Sequence, residues 1–362
     1  MAINPADFVK GVTNPYLPLK PGTTLVYKNV DGTESVRFQV TRETKMVMGV
    51  ECVVVLDKAF ADGQLHERTF DYFAQDINGN VWYFGESVQN IDNGKVINTN
   101  GSWLAGVNGA EPGIIMQANP QVGQVYAQEN APGIAQDMAD IVSLTRVADV
   151  PYGSATNVLQ THDFTPLEPT HHEYKSYAKG IGQLLSINLT TGEAERLVSI
   201  EFDGTGARDV IVGNTGTDVL RGHAGNDKIS GLGGDDVLVG GLGQDLLFGG
   251  AGHDIFKFDK LTDSSSQGGG RDRIGDFKHG VDDIDVRAID ANSKIAGNQA
   301  FNFIGSEQFH NIAGELRYQQ VNCSGTAHDY TVVSADTNGD GRVDFQVFLT
   351  GLNTLTAGDF LL

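Results

Sequence analysis

From Gly204 the chain repeats every nine residues, and few folds can carry a period that short. Six frames run in register over residues 204–257: GTGARDVIV, GNTGTDVLR, GHAGNDKIS, GLGGDDVLV, GGLGQDLLF and GGAGHDIFK. Each opens on glycine (Gly204, Gly213, Gly222, Gly231, Gly240, Gly249) and places an aspartate sixth (Asp209, Asp218, Asp227, Asp236, Asp245, Asp254). Ile, Leu or Phe stands eighth (Ile211, Leu220, Ile229, Leu238, Leu247, Phe256). A flexible glycine-rich linker has no reason to keep acidic and apolar positions in phase, so the block reads as structure rather than spacer.

The spacing dictates a chemistry. A glycine-rich turn lets carbonyl oxygens converge, because glycine tolerates positive φ, and the aspartate adds an anionic oxygen. Such oxygens suit a hard cation, so Ca2+ is the expected cofactor, held by the six aspartates and by the turns of Gly216, Gly225, Gly234 and Gly243. The first frame is degenerate, with Ala207 in the matching position. The three residues after each aspartate predict a short strand whose eighth side chain points inward, so stacked frames bury an apolar ladder between two parallel sheets. Frames two apart share a side, which gives about four complete pairings and about that many ions. A further cluster, Asp336-x-Asn338-x-Asp340-Gly341-x-x-Asp344, has the first half of an EF-hand-like loop but carries Val347 where its glutamate would stand. Both an extra calcium site and a plain hairpin turn fit it.

The rest of the composition narrows the class. Lys and Arg number 25 against 46 Asp and Glu, for a net charge of −21, which repels phosphate backbones and makes nucleic acid an unfit partner. No stretch approaches 18 apolar residues, so no transmembrane segment is expected. The N-terminal region has no apolar run fit for a cleaved signal peptide. Two cysteines, Cys52 and Cys323, lie in different halves and argue against a disulfide framework. At 362 residues two domains are expected, residues 1–203 and 204–362.

The repeats resemble the RTX family. FKFDKLTDSS (residues 256–265), DRIGDFKHGVDDIDV (272–286) and SADTNGDGRVDFQVFLTG (334–351) resemble the C-terminal domain of serralysin-type secreted proteases. The resemblance covers residues 204–362. It implies a β-roll, calcium binding, and export from a Gram-negative cytoplasm by a type I secretion system to the extracellular space. Asp359, Phe360, Leu361 and Leu362 fit the uncleaved terminal signal of that family. It does not imply protease activity, because H-E-x-x-H is absent from this sequence and His171, His172 and Glu173 do not replace it.

The first 203 residues alternate polar and apolar positions between turn signals, as in LVYKNVDGTESVRFQVT and LLSINLTTGEAERLVSI. This predicts an antiparallel β-barrel, half-barrel or sandwich, with only a weak helical pattern near residues 133–146. Asn78-Gly79 predicts a two-residue hairpin that sets Asp71 opposite Glu86, Phe73 opposite Phe84 and Gln75 opposite Trp82. Opposed carboxylates destabilise a sheet unless a cation, a basic side chain or a retained proton compensates. Asp71 and Glu86, assisted by Lys175 or His172, are therefore candidate acid and base of a hydrolase or lyase acting on extracellular polymer. The plainer alternative has them in water or paired with Lys175. Asp62-Gly63 predicts a second hairpin with ordinary ion pairs, Lys58 with Glu67 and Asp57 with Arg68. Trp82, Trp103, Tyr83 and Tyr174 read as core or wall, and Cys52 as a buried strand residue. His162, Asp163 and Glu168 form a trio only if the fold unites them. The stretches YFAQDINGNVWYFGE and GSWLAGVNGAEPG look similar to secreted bacterial proteins, a likeness that supplies no activity. Binding of an extracellular glycan or lipid is the leading expectation for this half, with an enzyme or a structural or adhesive surface protein as alternatives.

Overall fold

The computed structural model describes residues 3–265, 270–323 and 329–362, which form two compact units, Met1–Ile200 and Glu201–Leu362. Among the described residues no helix is long and apolar enough to cross a membrane.

The first unit is built almost wholly of antiparallel strands. Its main elements are β1 (Thr23–Lys28), β2 (Glu34–Val47), β3 (Val50–Ala61), β4 (Gln64–Asp76), β5 (Val81–Asp92), β6 (Glu111–Met116), β7 (Met138–Val150), β8 (Gly153–Thr165), β9 (Glu168–Ala178), β10 (Gly182–Asn188) and β11 (Ala194–Asp203). Strands β1 to β6 pair in chain order, as do β7 to β11. The short strands Val125–Ala127 and Glu129–Asn130 carry the sheet from β6 across to β7, and β11 pairs back with β1. The result is a nearly closed barrel-like sheet. Residues 138–146, part of the weak helical pattern expected near residues 133–146, lie in strand β7, because cross-strand pairing on both sides outweighs a local propensity.

Turn chemistry moves the expected registers. At Asp62-Gly63 both residues have positive φ, as a two-residue hairpin requires, but a bulge after Phe60 shifts the pairing by one. Lys58 therefore faces Arg68, Ala59 faces Glu67 and Asp57 faces Thr69, so the two expected ion pairs do not form. At Asn78-Gly79 only Gly79 has positive φ, and its N–H donates to the Asp76 carbonyl, so the loop has three residues rather than two. Phe73 then faces Tyr83 and Gln75 faces Val81, against the expected Phe84 and Trp82. A second irregularity at Phe84-Gly85 restores the register, and Asp71 faces Glu86 as expected. Gly85 is needed there: its φ is 127°, and a Cβ would sit 2.5 Å from the Trp103 carbonyl oxygen.

The second unit opens as a roll of parallel strands on two sides. Val210–Val212, Lys228–Gly233, Leu246–Ala251 and Arg273–Ile274 pair in turn on one side. Asp218–Arg221, Val237–Val239, Ile255–Lys257, Asp283–Asp285 and Phe360–Leu361 pair on the other. Each parallel step advances 18 residues within the repeats, so alternate frames share a side as the spacing required. Leu220, Ile229, Leu238, Leu247 and Phe256 are fully buried and form the ladder between the sheets. An antiparallel meander, Glu315–Val321, Tyr330–Asp336 and Phe345–Thr350, extends the first side. Removing one rung leaves a cavity that parallel backbones cannot collapse around. Leu247→Ala should therefore cost about 2–5 kcal/mol, measured from the urea midpoint of the roll, whereas the exposed Leu242→Ala should cost little.

Candidate functional sites

The roll's aspartates form a ladder of their own. The Asp227 Oδ1 accepts the Asp209 backbone N–H at 2.7 Å, Asp236 that of Asp218 at 2.9 Å, and Asp245 that of Asp227 at 2.8 Å. Asp254 accepts from Asp236 at 3.2 Å, and the pattern runs past the repeats through Asp272, which accepts from Asp245, and Asp282, which accepts from Asp254. The second oxygens of Asp227, Asp236, Asp245, Asp254 and Asp272 are buried and accept no hydrogen bond. Burial pushes Asp236 up to about 8, Asp245 and Asp254 to about 6, and Asp272 to about 9, with neighbouring aspartates adding to each rise.

The glycines make room for these oxygens. A Cβ at Gly213, Gly222 or Gly231 would meet the same frame's Asp Oδ2 and a carbonyl oxygen from two frames on, that of Gly231 at 2.9 Å, Gly240 at 2.5 Å and Gly249 at 2.6 Å respectively. A Cβ at Gly225 or Gly234 would lie 2.5 Å from the carbonyl oxygen of Ala207 or Gly216, and one at Gly243 would strike that of Gly225. Carboxylate and carbonyl oxygens thus converge where no side chain can stand. Among the described residues no three His, Cys, Asp or Glu side chains cluster, so a cation here would draw mainly on backbone carbonyls. The orphaned oxygens fit such a cation.

Two frames and one loop depart from the pattern. Both Asp209 carboxylate oxygens accept from Thr205, and Asp218 Oδ2 accepts the Asn214 backbone N–H, so the degenerate end of the roll satisfies itself. In the EF-hand-like loop, Asp336 accepts the backbone N–H groups of Asn338, Gly339 and Gly341, Asn338 caps Asp340, and Asp340 accepts from Arg342. These bonds build a hairpin turn between Tyr330–Asp336 and Phe345–Thr350. Asp272 and Asp282 lie outside the six frames. The signal for them was the surviving Asp-x-Ile spacing, Asp272-Arg273-Ile274 and Asp282-Asp283-Ile284.

In the barrel, Asp71 and Glu86 share one phenol. The Tyr83 hydroxyl lies 2.6 Å from Asp71 Oδ1 and 3.2 Å from Glu86 Oε2, and its ring stacks on Phe73 with centroids 4.7 Å apart. Burial pushes Asp71 up to about 7, while Tyr83 opposes that rise. Burial, then Glu129 and Asp71, push Glu86 up to about 9; burial and Asp137 push Glu129 up to about 8. Tyr83 read only as core or wall and Glu129 was not singled out in the sequence, because their places beside the two acids depend on the bulge and on a two-residue strand. Retained protons, rather than a basic partner, compensate the opposed acids: Lys175 is bound instead to Asp163 at 3.2 Å and Glu173 at 3.4 Å. His162, Asp163 and Glu168 do not assemble. His162 stacks on His172 with centroids 5.1 Å apart, Asp163 turns to the opposite face, and Glu168 is exposed. Trp103 and Tyr83 are core residues, and Cys52 is fully buried with its thiol pushed up to about 12 by burial.

Two of the cavities in this unit are lined by the acidic residues described above or their neighbours. One of about 300 Å3 is lined by Glu86, Lys45, Trp103, Ala131 and Ile134. The other, of about 320 Å3, has apolar walls that include Leu25, Val36, Phe38 and Phe73, and polar ones from Asp57, Glu173, Lys175, Tyr177, Ser186 and Glu195. Asp71 is 7% exposed and lines neither.

Residues 198–362 match the family model described as Peptidase M10 serralysin C terminal. The second unit is a domain of that β-roll type. A comparison with curated proteins found no match. Solved structures similar to the chain include the AlgE6R2 subunit of the mannuronan C5-epimerase from Azotobacter vinelandii, at 31% identity over 44% of this chain and 91% of that one, with a TM-score of 0.34. The AlgE6R3 subunit of the same enzyme is 26% identical over 44% and 80%, with a TM-score of 0.33. A putative exported protein with YmcC-like fold from Bacteroides fragilis is 14% identical over 51% and 98%, with a TM-score of 0.31.

The folded barrel holds protons that an unfolded chain releases above the ordinary carboxylate range. The stability contributed by these raised groups is full below about pH 4 and is lost as pH climbs through about 7, 8 and 9 for Asp71, Glu129 and Glu86. Both tryptophans, Trp82 and Trp103, lie in this unit and report its unfolding. Their thermal midpoint should fall between about pH 5 and pH 9, and Glu86→Gln should flatten the upper part of that fall.

Proposed function

We propose that this is an exported protein whose C-terminal unit is assembled by calcium and whose N-terminal barrel binds a small extracellular ligand, with a glycan or a lipid as the two classes open to it. The row of buried Asp Oδ2 atoms without donors carries the first half of this reading. Five buried carboxylates stacked at 18-residue intervals or their continuation repel one another unless protons or cations intervene. Asp227, Asp236, Asp245 and Asp254, with the carbonyls of the turns around Gly216, Gly225, Gly234 and Gly243, would hold the ions, and Asp272 would extend the series. Calcium would supply the positive charge that hard oxygen ligands require. We assign Asp336, Asn338 and Asp340 to hairpin construction, and Asp209 and Asp218 to the end of the roll. The match to a serralysin C-terminal domain suggests an RTX-type secreted protein, and export by a type I system to the extracellular space follows as part of the same proposal.

Binding is favoured over catalysis in the barrel by the cover over Asp71. A general acid and a general base must both reach substrate, and Asp71 is sealed behind Tyr83 while only Glu86 reaches a cavity. Lys175, committed to Asp163 and Glu173, is placed to shape the other cavity rather than to serve Asp71 and Glu86.

Calcium titration of the full chain tests the assembly. Far-ultraviolet circular dichroism should gain β signal as calcium rises to millimolar levels, and the triple change Asp227→Ala, Asp236→Ala, Asp245→Ala should abolish that gain while tryptophan emission from the barrel stays as it was. An undiminished response in the triple variant would sink the assignment.

A further inference from the structure

The barrel cavity of about 320 Å3 has an acidic wall. Asp57, Glu173 and Glu195 reach it from β3, β9 and β11, and Lys175 is the one cation among its lining residues. That cation is already neutralised by Asp163 and Glu173. The wall therefore keeps the carboxyls of Asp57 and Glu195 without an ion-pair partner among the described residues, and an anionic ligand finds no free cation there. Two more polar groups wait in the same cavity. Tyr177 is 5% exposed and Ser186 6%, and both line the space. Their hydroxyls can donate to or accept from a ligand's polar end. The same space is lined by Leu25, Val36, Phe38 and Phe73, which offer an apolar and aromatic surface.

We propose that this cavity binds an amphipathic organic amine, with its ammonium head among Asp57, Glu195, Tyr177 and Ser186 and its apolar body against Phe38, Phe73 and Leu25. The inference rests on the ligand-binding reading of the barrel and narrows it to the lipid-like class with a cationic head. An ammonium ion donates to carboxylates and hydroxyls alike, which no carboxylate-headed lipid can do. It also restores charge balance to a wall that otherwise keeps its carboxyls by retaining protons: burial raises both Asp57 and Glu195, with neighbouring acids adding to the rise.

Calorimetric titration of the calcium-loaded full chain with four probes of equal tail length tests this: octylammonium, octanol, octanoate and octyl glucoside. Octylammonium should bind at least about tenfold more tightly than octanol, and octanoate should not bind. Asp57→Asn with Glu195→Gln should erase the preference for octylammonium and leave octanol binding as it was, with tryptophan emission confirming that the barrel remains folded. If octanol, octanoate or octyl glucoside binds as well as octylammonium to the unaltered protein, the charge assignment fails while the binding reading survives. If none of the four binds, both fall.

Discussion

The second unit depends on one hydrogen bond repeated at a fixed interval. A backbone N–H at the aspartate of one frame donates to the carboxylate two frames on, and this locks each turn to its neighbour on the same side. The bond uses only Oδ1. The remaining oxygen is carried into the interior without a donor, and that leftover acceptor is what makes the roll dependent on its surroundings. An apolar ladder alone would fold such a domain in any medium. A buried row of carboxylates is costly unless protons or cations are supplied, and under the proposed calcium assembly this would couple folding to the compartment.

The same economy of charge governs the barrel by a different route. There Asp71 and Glu86 form no ion pair among the described residues and share a donor that was never charged, the Tyr83 hydroxyl between them. A neutral carboxyl costs far less to bury than an ionised one, so protonation replaces pairing as the source of compatibility. The single ammonium of the larger cavity is spent on Asp163 and Glu173, and the remaining wall is acidic. A site built this way discriminates by the sign of the ligand's charge more than by shape.

Local geometry decides which face each group joins. The bulge at Phe84-Gly85 sends Phe84 to pack edge-on against Phe8 at 5.5 Å, and turns Tyr83 toward Phe73 and the two acids. One residue of slip exchanges a phenol for an apolar ring beside two carboxyls, because strand side chains alternate with a period of two. The slip is tolerated only because Gly85 has no Cβ to collide with the Trp103 carbonyl.

By itself the sequence determined what is periodic. Glycine, aspartate and an apolar residue in a nine-residue frame admit one stacking, so the parallel roll, its buried ladder and its row of acids were readable from Gly204 to Phe256, and the alternation of the first half was enough for antiparallel strands but left barrel, half-barrel and sandwich open. Only the tertiary structure decided what depends on exceptions to the period. The three-residue loop at Gly79, the bulges near Gly85 and Phe60, and the return of β11 to β1 have no local pattern that fixes them, since each is settled by packing against residues far along the chain. For that reason the facing of Asp71 and Glu86 was legible, while the Tyr83 between them, the capture of Lys175 by Asp163, and the acidic cavity were not. A repeat carries its own three-dimensional neighbours in its spacing, and a barrel interior draws them from strands that only closure brings together.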